Sequence, residues 1–486
     1  MATVIVRLAP ELTTKARRTR RRFQERLVRN LKDALEGADV PARIRPRWDR
    51  IVVESDDPTA GERAADVFGV SGVSLIEGRT EAALDAIVAT GRALYAERVR
   101  GRRFAVRARR SGKLSFGTHD VCVRLGAALN PGATVDLTNP EVTVWVELRE
   151  GEAWFSSTRI EGVGGLPLGV EGRAVCLISG GFDSAVAAWL MLKRGVALDY
   201  VFCNLSGDAY ERSVVSVAKV LADRWSFGDR PRMHVVEFGP VVDRLKARVT
   251  PRYWQVILKR LMYRAAEQVA RELDADAVIT GESIGQVSSQ TLQNLRAIDD
   301  VAMLPVFRPL IGMDKNEIIR HAQRIGTAPI SATVREYCAI LPDRPVTKCS
   351  PGAARREEGK LDLAPLAEAV AARRVVDLRA LRAVDLVQPY LFVDDVPDGA
   401  TVLDCRDAHH YDAWHYPGAQ RWDLDRLAVG FRELDKTRTY VLCCQFGLLS
   451  AHMAEAMQRA GYEAYSFRGG MTALRRYAAD RGGVPV

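Results

Sequence analysis

The hydrophobic pattern divides the chain into four stretches and one joining segment. Up to about residue 75, short apolar runs at 4–8 and 51–53 read as strands beside a basic helix. From there to about 168, residues 104–110 alternate apolar and basic side chains, then turn at Ser111-Gly112-Lys113; residues 142–147 read as another strand. Gly162, Gly164, Gly165 and Gly169, with Pro167, punctuate the end of this stretch. Between about 172 and 352, apolar runs at 175–178, 200–203, 234–238 and 277–280 alternate with helical segments. That rhythm predicts a parallel sheet with helices on both faces. Residues 353–385, rich in Ala, Leu, Arg and Glu, are expected to form a helical linker, and 386–486 a final α/β unit. The expected fold class is a multidomain α/β chain.

Composition sets the scale and the compartment. The 486 residues suffice for three or four domains, and 47% apolar content is ample for their cores. No apolar run reaches the roughly 18 residues of a membrane span. The start, Met1-Ala2-Thr3-Val4-Ile5-Val6-Arg7, reads as a strand rather than a leader, so a cytoplasmic protein is expected.

Charge changes the picture at one end only. Residues 1–50 hold fourteen Lys/Arg against six Asp/Glu, which accounts for +8 of the net +9. The cluster Lys15-Ala16-Arg17-Arg18-Thr19-Arg20-Arg21-Arg22 dominates. Such a helix can be a solvated face, but an excess this local favours nucleic-acid phosphate as partner. The candidate RNA contacts are Lys15, Arg20, Arg22, Arg107, Arg109 and Lys113. Lys259, Arg260 and Arg264 on a later helix face either RNA or solvent.

Eight cysteines stand at 122, 176, 203, 338, 349, 405, 443 and 444, with no Cys-x-x-Cys pair. Zinc and iron–sulfur sites have little support, and a special cysteine is expected to be a nucleophile.

Two loops carry chemistry. Ser179-Gly180-Gly181-Phe182-Asp183-Ser184 follows an apolar strand and opens a helix. Glycines let the backbone turn tightly around an anion, and the helix start offers free N–H groups to phosphate. Without Gly-Lys-Ser/Thr it is not a lysine-gripped phosphate loop. Thr280-Gly281-Glu282-Ser283 ends another strand, with Gly285 to Thr291 beyond it, and both loops are expected to face one cleft. Glu282 and Ser288 can also be read as helix caps. The second loop, Cys444-Gln445-Phe446-Gly447-Leu448-Leu449-Ser450, lies between strand and helix. Backbone N–H groups curled around Cys444 would stabilise its thiolate. Cys443 reads as a small buried hydrophobe at the strand's end.

The first loop resembles the signature of the PP-loop ATP pyrophosphatases, which cleave ATP between the α and β phosphates and leave an adenylated substrate. That resemblance implies ATP at Ser179, Gly180, Gly181, Phe182, Asp183, Ser184, Gly281, Glu282 and Gln290, with Mg2+ as its companion ion, no protein metal site, and Asp183 helping to organise magnesium–pyrophosphate or adenylation. The second loop resembles a rhodanese domain, as do Val402-Leu403-Asp404-Cys405-Arg406, His415-Tyr416-Pro417-Gly418-Ala419 and Arg468-Gly469-Gly470. Gln445 and Phe446 stand where a basic residue would favour thiosulfate as donor.

The order of these features extends the resemblance to nearly the whole chain. Pro10-Glu11-Leu12-Thr13-Thr14-Lys15, the basic strand at Arg107, Gly164-Gly165-Leu166-Pro167-Leu168-Gly169 and Glu336-Tyr337-Cys338 complete it. Together they resemble the tRNA 4-thiouridine synthetase family. The family implies a ferredoxin-like domain at 1–75, a THUMP RNA-binding domain at 76–168, the PP-loop doubly wound parallel sheet at 172–352 and a rhodanese-like domain at 386–486. It implies that Cys444, supported by Gly447 and Ser450, takes persulfide sulfur from a cysteine desulfurase. It implies further that uridine at tRNA position 8 is adenylated at O4, that sulfur replaces that oxygen, and that Cys338 forms a redox-active disulfide with Cys444. Cys349 is the competing disulfide partner, and the linker must let the last domain swing towards the adenylation site. The implied partners are tRNA, the desulfurase and a sulfur-carrier protein for thiamine thiazole synthesis, with no membrane; a homodimer is left open. Persulfide relay to that carrier without tRNA thiolation is the alternative. A non-enzymatic RNA-binding protein is disfavoured by the intact Asp183 and Cys444.

Overall fold

The computed structural model describes residues 2–110, 112, 114–149, 151–205, 208–332, 344–386 and 389–481. Lys113 and Cys338, with Glu336 and Tyr337, lie outside the described residues. The chain forms two compact units, Met1–Gly165 and Leu166–Val486.

In the first unit, Ala2–Leu8 (β1), Arg43–Pro46 (β2), Arg50–Ser55 (β3) and Val70–Ile76 (β4) make an antiparallel sheet. The helix Arg17–Glu36 buries Phe23, Leu27, Leu31 and Leu35. That spacing puts one apolar stripe on the core and turns Arg17, Arg18, Arg21 and Arg22 outwards. A second sheet contains Gly78–Glu81 (β5), Arg103–Arg110 (β6), Thr134–Val135 (β7), Val142–Leu148 (β8) and Glu152–Ser156 (β9), in the order β5-β9-β8-β6-β7. Arg159–Glu161 (β10) returns to pair with β4, so the chain closes back on the first sheet. Glu147 on β8 is ion-paired to both Arg7 on β1 and Arg50 on β3, which joins the two sheets. Burial pushes the Glu147 carboxyl up, but Arg50 and Arg7 outweigh it and hold it below the usual range.

The second unit begins with a six-stranded sheet. Arg173–Leu177 (β11), Ala197–Asn204 (β12), Arg232–Glu237 (β13), Val278–Ile279 (β14) and Val306–Phe307 (β15) run parallel. The chain builds outwards from β11 through β12 to β13, then crosses to β14 on the other side. The crevice beside the end of β11 is therefore the topological switch point, where ligands of such sheets bind.

The segment 353–385 is not a helical linker. The helices Pro351–Glu358 and Ala364–Ala371 pack into this unit's core through Ala354, Leu366 and Val370. Arg374–Asp377 (β16) then pairs antiparallel with β13, Val376 opposite Met233. The β-branched Val375 and Val376 meet the unfilled hydrogen-bonding edge of β13, which overrides the helical composition around them.

The last sheet is parallel: Phe392–Val393 (β17), Thr401–Asp404 (β18), Gln420–Arg421 (β19), Thr439–Cys443 (β20) and Glu463–Phe467 (β21), in the order β17-β21-β20-β18-β19. Its helix Leu448–Arg459 packs on the short helix Ala328–Ser331, and Leu449 lies over Gly326. Among the described residues, no helix is long and apolar enough to cross a membrane.

Candidate active site

Ser179, Gly180 and Gly181 turn the chain from β11 into the helix Phe182–Lys193. Gly180 has φ +77°, left-handed backbone that a side chain would strain. The Ser179 N–H donates to Ser184 Oγ at 3.2 Å, and Ser184 Oγ donates to the Gly181 carbonyl at 3.4 Å. The Tyr210 hydroxyl donates to the Ser179 carbonyl at 2.7 Å. The loop's shape is thus fixed by its own hydroxyls and one neighbour.

Gly281, just beyond β14, sits directly on that helix start. A Cβ there would lie 2.6 Å from the Ser184 nitrogen. The two glycine loops expected from sequence therefore meet at one strand-end crevice. Asp183 faces it, bound by Lys315 Nζ at 3.0 Å and by Gln286 Nε2 at 2.9 Å. Lys315 also stands over the Phe182 ring, 5.6 Å from its centroid. Gln290, four residues beyond Gln286, is buried, with an Oε1 that has no hydrogen-bond partner among the described residues.

Glu282 is not a helix cap. It is buried, ion-paired to Lys259 at 3.0 Å and to Arg308 at 2.9 Å, and it accepts the Tyr263 hydroxyl. Burial would raise its carboxyl pKa, but Lys259 and Arg308 outweigh that and bring it down to about 2. It acts as a post that ties the helix Trp254–Glu272 to the strand ends. Ser288 does not cap either; its hydroxyl donates to Gln255 Oε1 at 2.7 Å. The cap of the helix Leu292–Asp299 is Thr291, which accepts from the Asn294 N–H.

Arg260 faces neither RNA nor solvent. Only 1% exposed, it is bound by Glu358 at 2.6 Å and by the Ala297 carbonyl. Arg264 joins the same carboxylate at 2.9 Å. Cys349, the competing disulfide partner, is a buried core thiol whose backbone N–H donates to Asn294 Oδ1. Lys315, Tyr263 and Arg308 were not legible as site residues. The one available signal is the capping box Asp314–Glu317, whose N-cap makes Lys315 the first residue of the helix Lys315–Ile325.

Cys444 follows β20, and its Sγ accepts the Ser450 N–H at 3.3 Å and the Ser450 hydroxyl at 3.2 Å. Ser450 Oγ also lies 2.8 Å from Ser466 Oγ, and both hydroxyls reach the Gly447 carbonyl at 3.2 Å. Gly447, at φ +79°, caps the helix Leu448–Arg459. Gly470 packs so closely that its Cβ would lie 2.6 Å from the Gln445 carbonyl oxygen. Behind the loop, Arg406 and Asp404 form a buried ion pair at 2.6 Å. Burial pushes the Cys443 and Cys405 thiols well up.

In the first unit four of the basic candidates, Lys15, Arg20, Arg22 and Arg107, sit beside aromatic rings. Arg20 stacks on Trp48 at 4.3 Å, and Lys15 and Arg22 flank Phe23. Arg107 and Arg109 are exposed on β6, and Arg107 and Arg159 both approach Trp145. A cavity of about 620 Å³ is lined by Arg45, Arg47, Trp48, Arg79, Arg149 and Trp154, none of them singled out from sequence.

Four family models match the chain. They are the ThiI ferredoxin-like domain at 3–74, the THUMP domain at 81–158, the thiamine biosynthesis protein (ThiI) at 169–363 and the rhodanese-like domain at 392–476. A tRNA sulfurtransferase of Pyrobaculum aerophilum is 38% identical over 96% of this chain and 97% of its own length. One from Desulfurococcus amylolyticus is 35% identical over 98% of each chain. A solved 4-thiouridine synthetase–RNA complex with bound ATP covers 77% of this chain and 99% of its own, at 30% identity and a TM-score of 0.69. The likeness spans both units and both loops: the chain belongs to the tRNA sulfurtransferase family.

Proposed function

We propose that this chain is an ATP-dependent tRNA sulfurtransferase that converts uridine at position 8 to 4-thiouridine, with sulfur drawn from a Cys444 persulfide. The observation that carries it is the pairing, within one compact unit, of a glycine loop at the β11 switch point with a hydroxyl-lined cysteine loop after β20.

The free N–H groups at the start of the helix Phe182–Lys193, with Gly180 and Gly181, suit the phosphates of ATP. The close packing of Gly281 leaves no side chain in their way. Asp183, with a hard oxygen donor at the cleft, would hold Mg2+, and Lys315 balances its charge. Gln290 offers an unpaired acceptor to the nucleotide. Adenylation turns uridine O4 from a poor leaving group into the oxygen of AMP, and pyrophosphate departs. The Ser450 N–H and hydroxyl hold the Cys444 sulfur, whose persulfide supplies the atom that attacks C4. Cys338 takes its family role, the disulfide with Cys444 as sulfur is released.

Lys15, Arg20, Arg22, Arg107, Arg109 and Lys113 are assigned to the tRNA backbone, together with the arginine-lined cavity and Trp48. A cysteine desulfurase supplies the sulfur, in a reducing, cytoplasmic setting that keeps such thiols free. A second reading, sulfur delivery to a carrier protein for thiamine thiazole synthesis, is favoured by the thiamine-biosynthesis description of the model matching 169–363.

The test incubates the protein with unmodified tRNA, Mg-ATP, cysteine and a cysteine desulfurase, and reads 4-thiouridine by its near-ultraviolet absorbance. Asp183→Asn should abolish the signal while persulfide still forms on Cys444. Cys444→Ala should remove the persulfide while adenylation persists. No signal from the parent chain, with persulfide intact, would leave only the carrier reading.

A further inference from the structure

The C-terminal sheet places a second thiol beside Cys444. β18 and β20 are paired in register, Leu403 with Leu442 and Asp404 with Cys443. The backbone continues one step further, where the Cys405 N–H donates to the Cys443 carbonyl at 2.8 Å. Cys405 and Cys444 are therefore opposite each other at the strand ends, with Cα atoms about 4.8 Å apart by strand spacing. That falls within the separation a disulfide spans. Side chains alternate along a strand, so Leu403 and Cys405 share a face with Leu442 and Cys444, and all four lie in one core cluster. Cys443 points the other way, packing with Val402 and Val441.

We propose that Cys405 is a resolving thiol for Cys444, closing a Cys405–Cys444 disulfide inside the C-terminal domain once Cys444 is oxidised. Two forms of Cys444 lead there. Peroxide converts the Cys444 thiol to a sulfenic acid with release of water. The Cys405 thiol then attacks that sulfur and a second water leaves. The other form rests on the reading of Cys444 as persulfide carrier. The Cys405 sulfur attacks Cys444 Sγ, the Sγ–sulfane bond breaks, and the sulfane sulfur leaves as hydrosulfide. The Cys405 sulfur is oxidised, Cys444 Sγ stays at the disulfide level and the sulfane sulfur is reduced to hydrosulfide, with no outside oxidant. Burial pushes the Cys405 thiol well up, so its proton passes to the departing hydroxide or hydrosulfide as the sulfur attacks.

The test uses the full chain carrying Cys338→Ser, which removes the family's disulfide partner. One arm adds stoichiometric hydrogen peroxide. The other loads sulfur with cysteine and a cysteine desulfurase, without tRNA, ATP or reductant. Both are quenched by alkylation and peptide-mapped, and hydrosulfide is measured in the second. The expected result is a Cys405–Cys444 cross-linked peptide in both arms, with about one equivalent of hydrosulfide. Cys443→Ala should retain the cross-link, whereas Cys405→Ala and Cys405→Val should hold the persulfide at least tenfold longer. Absence of the cross-link after peroxide overturns the proposal, and the map of the Cys338→Ser chain gives that answer even if the Cys405 variants fold poorly. A cross-link with peroxide, but no persulfide on Cys444, would keep the proposal and refute the persulfide reading.

Discussion

Replacing Gly281 with alanine tests whether the two glycine loops must touch. The new Cβ would lie 2.6 Å from the Ser184 nitrogen, 2.7 Å from the Asp183 carbonyl carbon and 2.8 Å from the Ser184 Cα. Ordinary carbon contacts are about 3.5–4.0 Å, so β14's end and the helix start must part by roughly 1 Å. All three obstacles are backbone, so no rotamer change relieves them. Overpacking of this kind costs about 1–3 kcal/mol. Released by spreading the cleft, the strain weakens ATP binding by roughly 5- to 150-fold. Retained in the folded state, it lowers Tm by about 2–12 °C for a domain of this size. Calorimetric titration with Mg-ATP and thermal melting, each on the full chain, separate the two. Gly312→Ala is the control, because a Cβ there meets nothing within 4 Å among the described residues, and it should stay within about 0.5 kcal/mol of the parent. A Gly281→Ala protein that binds ATP as tightly as the parent and melts at the same temperature would refute the contact.

Three other perturbations reach different parts of the molecule. The folded Glu282 carboxyl titrates at about 2, below its unfolded value, so it stabilises the fold above about pH 4.5 and that contribution disappears as pH falls towards 2. Glu282→Gln should flatten the pH dependence of Tm in that window and cost about 3–5 kcal/mol at pH 7 by stranding Lys259 and Arg308; an unchanged acid profile would contradict the ion-pair account. Ser450→Ala removes the hydroxyl donor to Cys444 Sγ and should shorten the persulfide's lifetime under mild reductant by about five- to tenfold, read by mass spectrometry; an equal lifetime would mean the cradle is idle. Trp48→Ala, which removes the ring beneath Arg20, should weaken tRNA binding by roughly 5- to 150-fold in filter binding and leave persulfide formation on Cys444 untouched.

Features written in consecutive residues were legible from the sequence. The 179–184 loop and the cysteine loop each combine strand end, glycine turn and helix start within a few positions, so local chemistry and local geometry coincide. The parallel sheet could be read from its apolar rhythm for the same reason. What escaped was assembled at long range. Lys315 reaches Asp183 across 132 positions, and Arg308 meets Glu282 from another strand's end. Arg260 looked like surface charge because its neutralising partner, Glu358, is 98 positions away. β16 was hidden because its composition gives no helix-breaking signal and its reason for existing is the vacant edge of β13.

That edge strand also fixes how far the C-terminal domain can travel if it leaves its seat on the helix Ala328–Ser331. The chain leaves β16 at Asp377 and re-enters a sheet at Phe392, so the C-terminal domain is leashed to the rim of the nucleotide-binding sheet by a stretch spanning at most about 50 Å. A leash this short holds Cys444 at a local concentration on the order of millimolar, which on the proposed function is what delivers its sulfur. The same C-terminal domain severed after Asp377 and added back as a separate polypeptide would have to reach that concentration to match the intact chain. At micromolar levels it would lose the advantage of confinement even with every side chain of both loops in place.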